Sequence, residues 1–180
     1  GYVITLHDVS ERKQIERELG EAGRRMVRLH EHALRLAGLE RESDVTAFAT
    51  ATAEKEFPAA TCIVYAATKT ELEPTAASIL HVHNSIPLSG RHVCAAAYAA
   101  GETLRFGAPD DLPSGCAIPL PWRSGICTPL RGAGVLAVLA IGERAFRDED
   151  VSWVQLFAQH VEEAVRRIRL QEELREQARR

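Results

Sequence analysis

From about residue 9 to residue 39 the apolar positions fall at Ile15, Leu19, Ala22, Met26, Leu29, Ala33 and Leu36, in steps that alternate four and three. An average step of 3.5 residues is the period of a coiled-coil seam, so the spacing predicts one long helix that pairs along these positions. Between them lie Glu16, Arg17, Glu18, Arg24, Arg25 and Arg28, a solvated surface of mixed charge. A helix of ~30 residues reaches ~45 Å, more than a small domain needs for its own packing. Small Ala22 and Ala33 would let two helices approach closely, and a second copy of the chain is the expected partner. An amphipathic helix lying on its own domain is the alternative source of such a stripe.

Beyond Gly38 the pattern changes. Ser43 or Asp44 begins a shorter helix carrying Val45, Phe48, Ala49 and Ala53, which stops near Phe57 and Pro58. Short strand-like runs follow at 61–66, 72–80, 103–106, 125–130 and 134–141, each bounded by Gly, Pro, Ser or Asp. Residues 90–100 are Ala-rich and closed by Gly101, which predicts a short helix with a glycine at its C-terminal end. The Pro-containing tract 110–125 reads as loop. Asp148 is a fitting N-cap for a last helix whose Val151, Val154, Phe157, Val161, Ala164 and Ile168 form one apolar face, continuing through Leu170 and Leu174 into a charged tail.

Composition narrows the classes. Hydrophobic residues make up 46% and charged residues 26% of 180, which suits one globular domain with appended helices. The net charge of −3 gives no bulk case for nucleic acid or an anionic membrane as partner. No apolar run is long enough to span a bilayer, so a cytoplasmic setting is expected. Cys62, Cys94, Cys116 and Cys127 are scattered without a C-x-x-C pair and read as reduced thiols.

The opening residues raise a separate question, because 1–9 read as the end of a strand running straight into the long helix. The stretch L-H-D-V-S-E-R-K at 6–13 resembles the "D-I-T-E-R-K" ending of PAS domains, where a last strand hands over to a signalling helix. A second stretch, G-V-L-A-V-L-A-I-G at 134–142 followed by A-F-R-D-E-D at 145–150, resembles the end of a GAF domain. Upstream, residues 86–103 are similar to the helix that flanks the GAF ligand pocket. The resemblance implies four segments: 1–9, the terminal strand of a PAS-like fragment; 10–40, a coiled-coil linker; 41–168, a GAF-like sensor; and 169–180, an exit helix towards an output domain. It also implies an α+β fold, a central antiparallel sheet with helices on its faces, pairing as a homodimer through the terminal helices. The function it implies is that of a sensory module in a prokaryotic sensor kinase or ligand-responsive transcription regulator.

Candidate chemistry is sparse. The side chains expected to wall a small-molecule pocket are Tyr65, His83, Leu88, Val93, Ala97, Tyr98, Phe106, Ile118 and Trp122, which combine apolar bulk with a few polar tips. The same set would also fill an ordinary core. His81 and His83 would share a face if extended, but His92 and Cys94 supply no second ligand pair of metal-site spacing, so no metal is assigned. His30-Glu31-His32 lacks the context of a kinase phosphoacceptor and is not a zinc-protease H-E-x-x-H. No phosphate loop, Ser-His-Asp set, bilin-attachment context or cyclic-nucleotide signature is present, and no motif names a cofactor. No catalytic residue is assigned. The one enzymatic alternative is a reductase of free methionine sulfoxide, since some GAF proteins use pocket thiols this way and Cys94, Cys116 and Cys127 fall in pocket-like regions. A ligand-free dimerisation spacer is the other.

Overall fold

The computed structural model describes residues 4–77, 84–107, 112, 115–118, 120–142 and 146–179, with side chains left aside at 4–11 and 18. The elements run α1 (Ile4–Ala37), α2 (Glu42–Glu56), β1 (Thr61–Ala67), β2 (Glu71–Ala77), β3 (Ile86–Pro87), α3 (Val93–Ala100), β4 (Leu104–Phe106), β5 (Ser124–Leu130), β6 (Gly134–Ala140) and α4 (Asp148–Ala178). The six strands form one sheet in the order β3-β2-β1-β6-β5-β4, and every pairing between them is antiparallel. This is the α+β architecture expected from the sequence.

Alternation along the central strands sorts their side chains into two cores. On one face Cys62 and Val64 of β1, Leu136, Val138 and Ala140 of β6, and Ile126 and Leu130 of β5 pack with α1, α2 and α4. On the other, Ile63 and Tyr65, Val135, Ala137 and Leu139, and Cys127 pack with α3. Burial on both faces explains why the central runs read as unbroken apolar stretches. At the β5–β6 turn, Gly134 has φ 150° and a Cβ there would lie 1.8 Å from the Tyr65 carbonyl oxygen, so only glycine lets β6 meet β1.

Several boundaries differ from the sequence reading. Residues 4–9, expected as the end of a strand, are the first turns of α1. A strand without a neighbour leaves its backbone groups unpaired, whereas a helix pairs them within the segment. α2 starts at Glu42, and α4 has Arg147 rather than Asp148 as N-cap: the Arg147 N–H donates to Asp150 Oδ2 at 3.0 Å. The two-residue β3 was missed, being too short to carry a period.

The seam of α1 divides. Leu29 and Leu36 are 4% and 1% exposed, packed in the chain's own core against α2 and α4, and Ala33 is half-buried. Leu29 and Leu36 are taken up within the chain, which corrects the assignment of these two to an intermolecular seam. Ile15, Leu19 and Met26, at 50%, 68% and 58% exposed, and Ala22 face solvent. The division falls at Arg25. Its Nε donates to Glu56 Oε1 at 2.7 Å and its Nη2 to Asp150 Oδ1 at 2.8 Å, while the guanidinium lies over the rings of Phe57 and Trp153. One side chain thus ties α1 to the end of α2 and the start of α4.

Candidate functional site

The α3 face gathers most of the sequence-predicted pocket. Tyr65, Val93, Ala97 and Phe106 are buried in one cluster, with Leu88, Tyr98, Ile118 and Trp122 packed partly buried against it. His83 and His81 lie outside the described residues. Val93, Ala97 and Phe106 are 0% exposed, while Leu88, Tyr98, Ile118 and Trp122 keep part of their surface in solvent among the described residues.

α3 is built to place its first turn with care. Its Ala-rich sequence favours helix, the His92 Nδ1 caps the start by accepting the Cys94 N–H at 3.1 Å, and Gly101 closes the end in the left-handed region at φ 67°. Residues 115–117 run alongside this start. His92 bridges Ala117 in parallel, the Val93 N–H donates to the Ala117 carbonyl, and Arg91 Nε donates to the Gly115 carbonyl at 2.6 Å. Cys116 is half-buried in that strip.

Within the cluster, Cys94 Sγ on α3 lies 3.4 Å from Cys127 Sγ on β5, and both side chains are fully buried. The hydrogen bond from Cys127 draws the Cys94 thiol below its usual ionisation range; burial opposes this and His92 adds to the lowering. The same hydrogen bond, with burial, pushes Cys127 well up. Tyr65 is held up chiefly by burial and then by the two neighbouring cysteines. Cys62, across the sheet, is pushed up by burial.

A second feature lies on the opposite face. A cleft of about 190 Å³ is bounded by Glu42 and Thr46 of α2, Val64 to Ala66 of β1, Thr75, and Val165 and Arg169 of α4. Its rim is an ion pair: Arg169 Nε and Nη2 donate to Glu42 Oε1 and Oε2 at 2.7 and 3.0 Å, which strengthens the guanidinium's hold on its proton. A shallower cleft of about 430 Å³ continues along α4 past Arg131, Glu162 and Arg166. Of the predicted pocket residues, Tyr65 borders the first cleft and none borders the second. Neither the cleft nor the Arg25 tie had a signal in the sequence, because each joins residues more than a hundred positions apart without a local motif.

Comparison with known proteins places this geometry. The GAF domain family matches residues 40–166, so the chain belongs to the GAF family. No curated protein matches. Among solved structures, the GAF domain of a phosphoenolpyruvate-protein phosphotransferase from Coxiella burnetii superposes with a TM-score of 0.73 at 11% identity, over 84% of this chain and 98% of that one. Free methionine-R-sulfoxide reductase from Neisseria meningitidis gives 0.72 at 22% identity, over 83% and 93%. Residues 122 to 287 of a methyl-accepting chemotaxis protein give 0.65 at 18% identity, over 77% and 97%. The shared fold therefore spans a phosphotransferase domain, a chemotaxis protein and a reductase. Among the described residues, no helix is long and apolar enough to cross a membrane.

Proposed function

We propose that this GAF domain is a non-enzymatic sensory module of a signalling protein, a sensor kinase or a ligand-responsive transcription regulator. A small ligand at the α3 face shifts the packing of α1 and α4 in a pair of copies. The observation that carries the reading is the solvent-facing stripe Ile15, Leu19, Ala22 and Met26, which continues the line of Leu29 and Leu36 beyond the docked part of α1. A helix that keeps a seam after its own domain has ended gains by burying it against another helix. Leu170 and Leu174, 54% and 56% exposed near the end of α4, offer a second strip for the same purpose. The start of α1 at Ile4 would carry the connection to a PAS-like input unit.

The ligand would meet the partly exposed Leu88, Tyr98, Ile118 and Trp122 and press on α3 beneath them. Two packings of the helices that differ by a few kcal/mol are within reach of a ligand's differential affinity. Light scattering tests the pairing: the wild-type chain is expected as a dimer and Leu19→Glu as a monomer of unchanged helix content. A strict monomer at high concentration, unaffected by Leu19→Glu, would overturn the mechanism.

The reductase alternative is favoured by the apposition of Cys94 and Cys127 on a fold shared with a methionine-R-sulfoxide reductase. Against it, both sulfurs are enclosed, and methionine sulfoxide needs a wider opening to reach them than a small peroxide does. Turnover of free methionine-R-sulfoxide with a dithiol reductant, lost in Cys94→Ser, would favour the enzyme. A ligand-free spacer is separated by a thermal-shift screen in which no small molecule raises Tm.

A further inference from the structure

We propose that Cys94 and Cys127 form a two-electron redox site, in which a small hydroperoxide converts the dithiol to a disulfide that staples α3 to β5. The site follows from the placement of two sulfurs by two different devices. β5 holds Cys127 between Leu104 of β4 and Ala137 of β6 on the α3 side of the sheet. The His92 cap fixes the first turn of α3 and turns Cys94 down onto it. A disulfide needs the sulfurs about 1.4 Å closer than their 3.4 Å separation.

The other thiols do not compete. Cys62 points into the opposite core, with the sheet between it and the pair. Cys116 is half-buried in the strip beside the start of α3 and has no sulfur contact among those described.

The chemistry balances with the hydroperoxide as the only co-reactant. The Cys94 thiolate attacks the O–O bond, forming an S–O bond and expelling hydroxide or alkoxide, which takes up a proton. Cys127 then attacks the sulfenic sulfur; the S–S bond forms, the S–O bond breaks, and the oxygen leaves as water with the Cys127 proton. Two thiols are oxidised and one peroxide is reduced. A small dithiol reverses the step by exchange.

Access comes through α3. It is a single eight-residue helix over the sheet, and a short element of this kind opens at a lower cost than the whole domain. Oxidation would then lock this helix onto the sheet. The pair closes without any ligand, so this inference stands or falls apart from the sensory reading.

The test is a disulfide map of the full chain. Reduced protein is treated with a few equivalents of hydrogen peroxide, alkylated in denaturant and cleaved after Arg and Lys, which puts each cysteine on its own peptide. The expected product is peptide 92–105 joined to 124–131, two hydrogens lighter than the separate peptides and released by dithiothreitol. The oxidised protein should melt roughly 5–10 °C higher. Cys116→Ser should keep the link. Cys127→Ala should lose it. A dominant link from 92–105 to 106–123 would overturn the proposal. So would four alkylated thiols after treatment that oxidises free dithiothreitol. The wild-type map decides even if the Cys127 variant fails to fold.

Discussion

Helix α1 carries one heptad pattern and puts it to two uses. Its C-terminal part, from Leu29 to Leu36, is buried among α2 and α4 and belongs to the domain's own core. Its N-terminal part, from Ile15 to Met26, repeats the same spacing with its apolar side chains in solvent. The difference shows that a 3.5-residue period specifies a helix with a face to bury but not the surface that will bury it. What decides is where the domain ends. Arg25 marks that point, with Glu56 and Asp150 on either side of its guanidinium and Phe57 and Trp153 beneath it.

The two parts should answer mutation differently. Leu36→Ala removes a side chain that is 1% exposed and should cost about 3 kcal/mol in urea unfolding, whereas Leu19→Ala in dilute protein should stay within about 0.5 kcal/mol of wild type. Equal costs would erase the distinction. Arg25→Ala, at the junction, leaves the Glu56 and Asp150 carboxylates, 11% and 9% exposed, without their shared partner, and should cost roughly 2 kcal/mol. Arg25→Lys should recover only part of this, since an ammonium does not reproduce the two-armed fork.

Leu19→Glu is expected to spare monomer stability and weaken self-association by at least about tenfold, read by sedimentation equilibrium. The smallest effect belongs to His32, which sits edge-on to Phe48 and Phe157 on the docked side. Burial lowers its pKa below the ordinary 6.5, with Glu56 and Glu31 opposing. Between the lowered value and 6.5 the unfolded chain holds the extra proton, so stability is full above pH 6.5 and falls as pH drops through the folded pKa. His32→Gln should flatten that part of the pH–stability curve, and an unchanged slope would remove the ring as its source.

The elements with a long or regular pattern were legible in the sequence: both terminal helices, the helix ending at Phe57, the Ala-rich helix closed by Gly101, and the five longer strands to within a few residues. The glycine at 134 and the apolar strand after it marked the centre of the sheet. Of the pocket residues, eight share one cluster: strand alternation places Tyr65 and Phe106, the Ala-rich helix places Val93, Ala97 and Tyr98, and Leu88, Ile118 and Trp122 come from connections that no period marks. Whether that cluster is open or closed depends on packing distances that no pattern encodes. Residues 4–9 were misread because the β-branched Val3, Ile4 and Thr5 favour strand only where a neighbouring strand is present. Nothing local distinguishes Leu29 from Leu19, or brings Cys94 to Cys127 across 33 positions. Those are tertiary facts.

Amide hydrogen exchange across a range of protein concentrations reads both parts of α1 in one experiment. Amides of 29–36 should be protected at every concentration, while protection of 12–26 should be weak in dilute protein and climb as copies pair. Protection of 12–26 equal to that of 29–36 at the lowest concentration, or none at the highest, would contradict this division of α1.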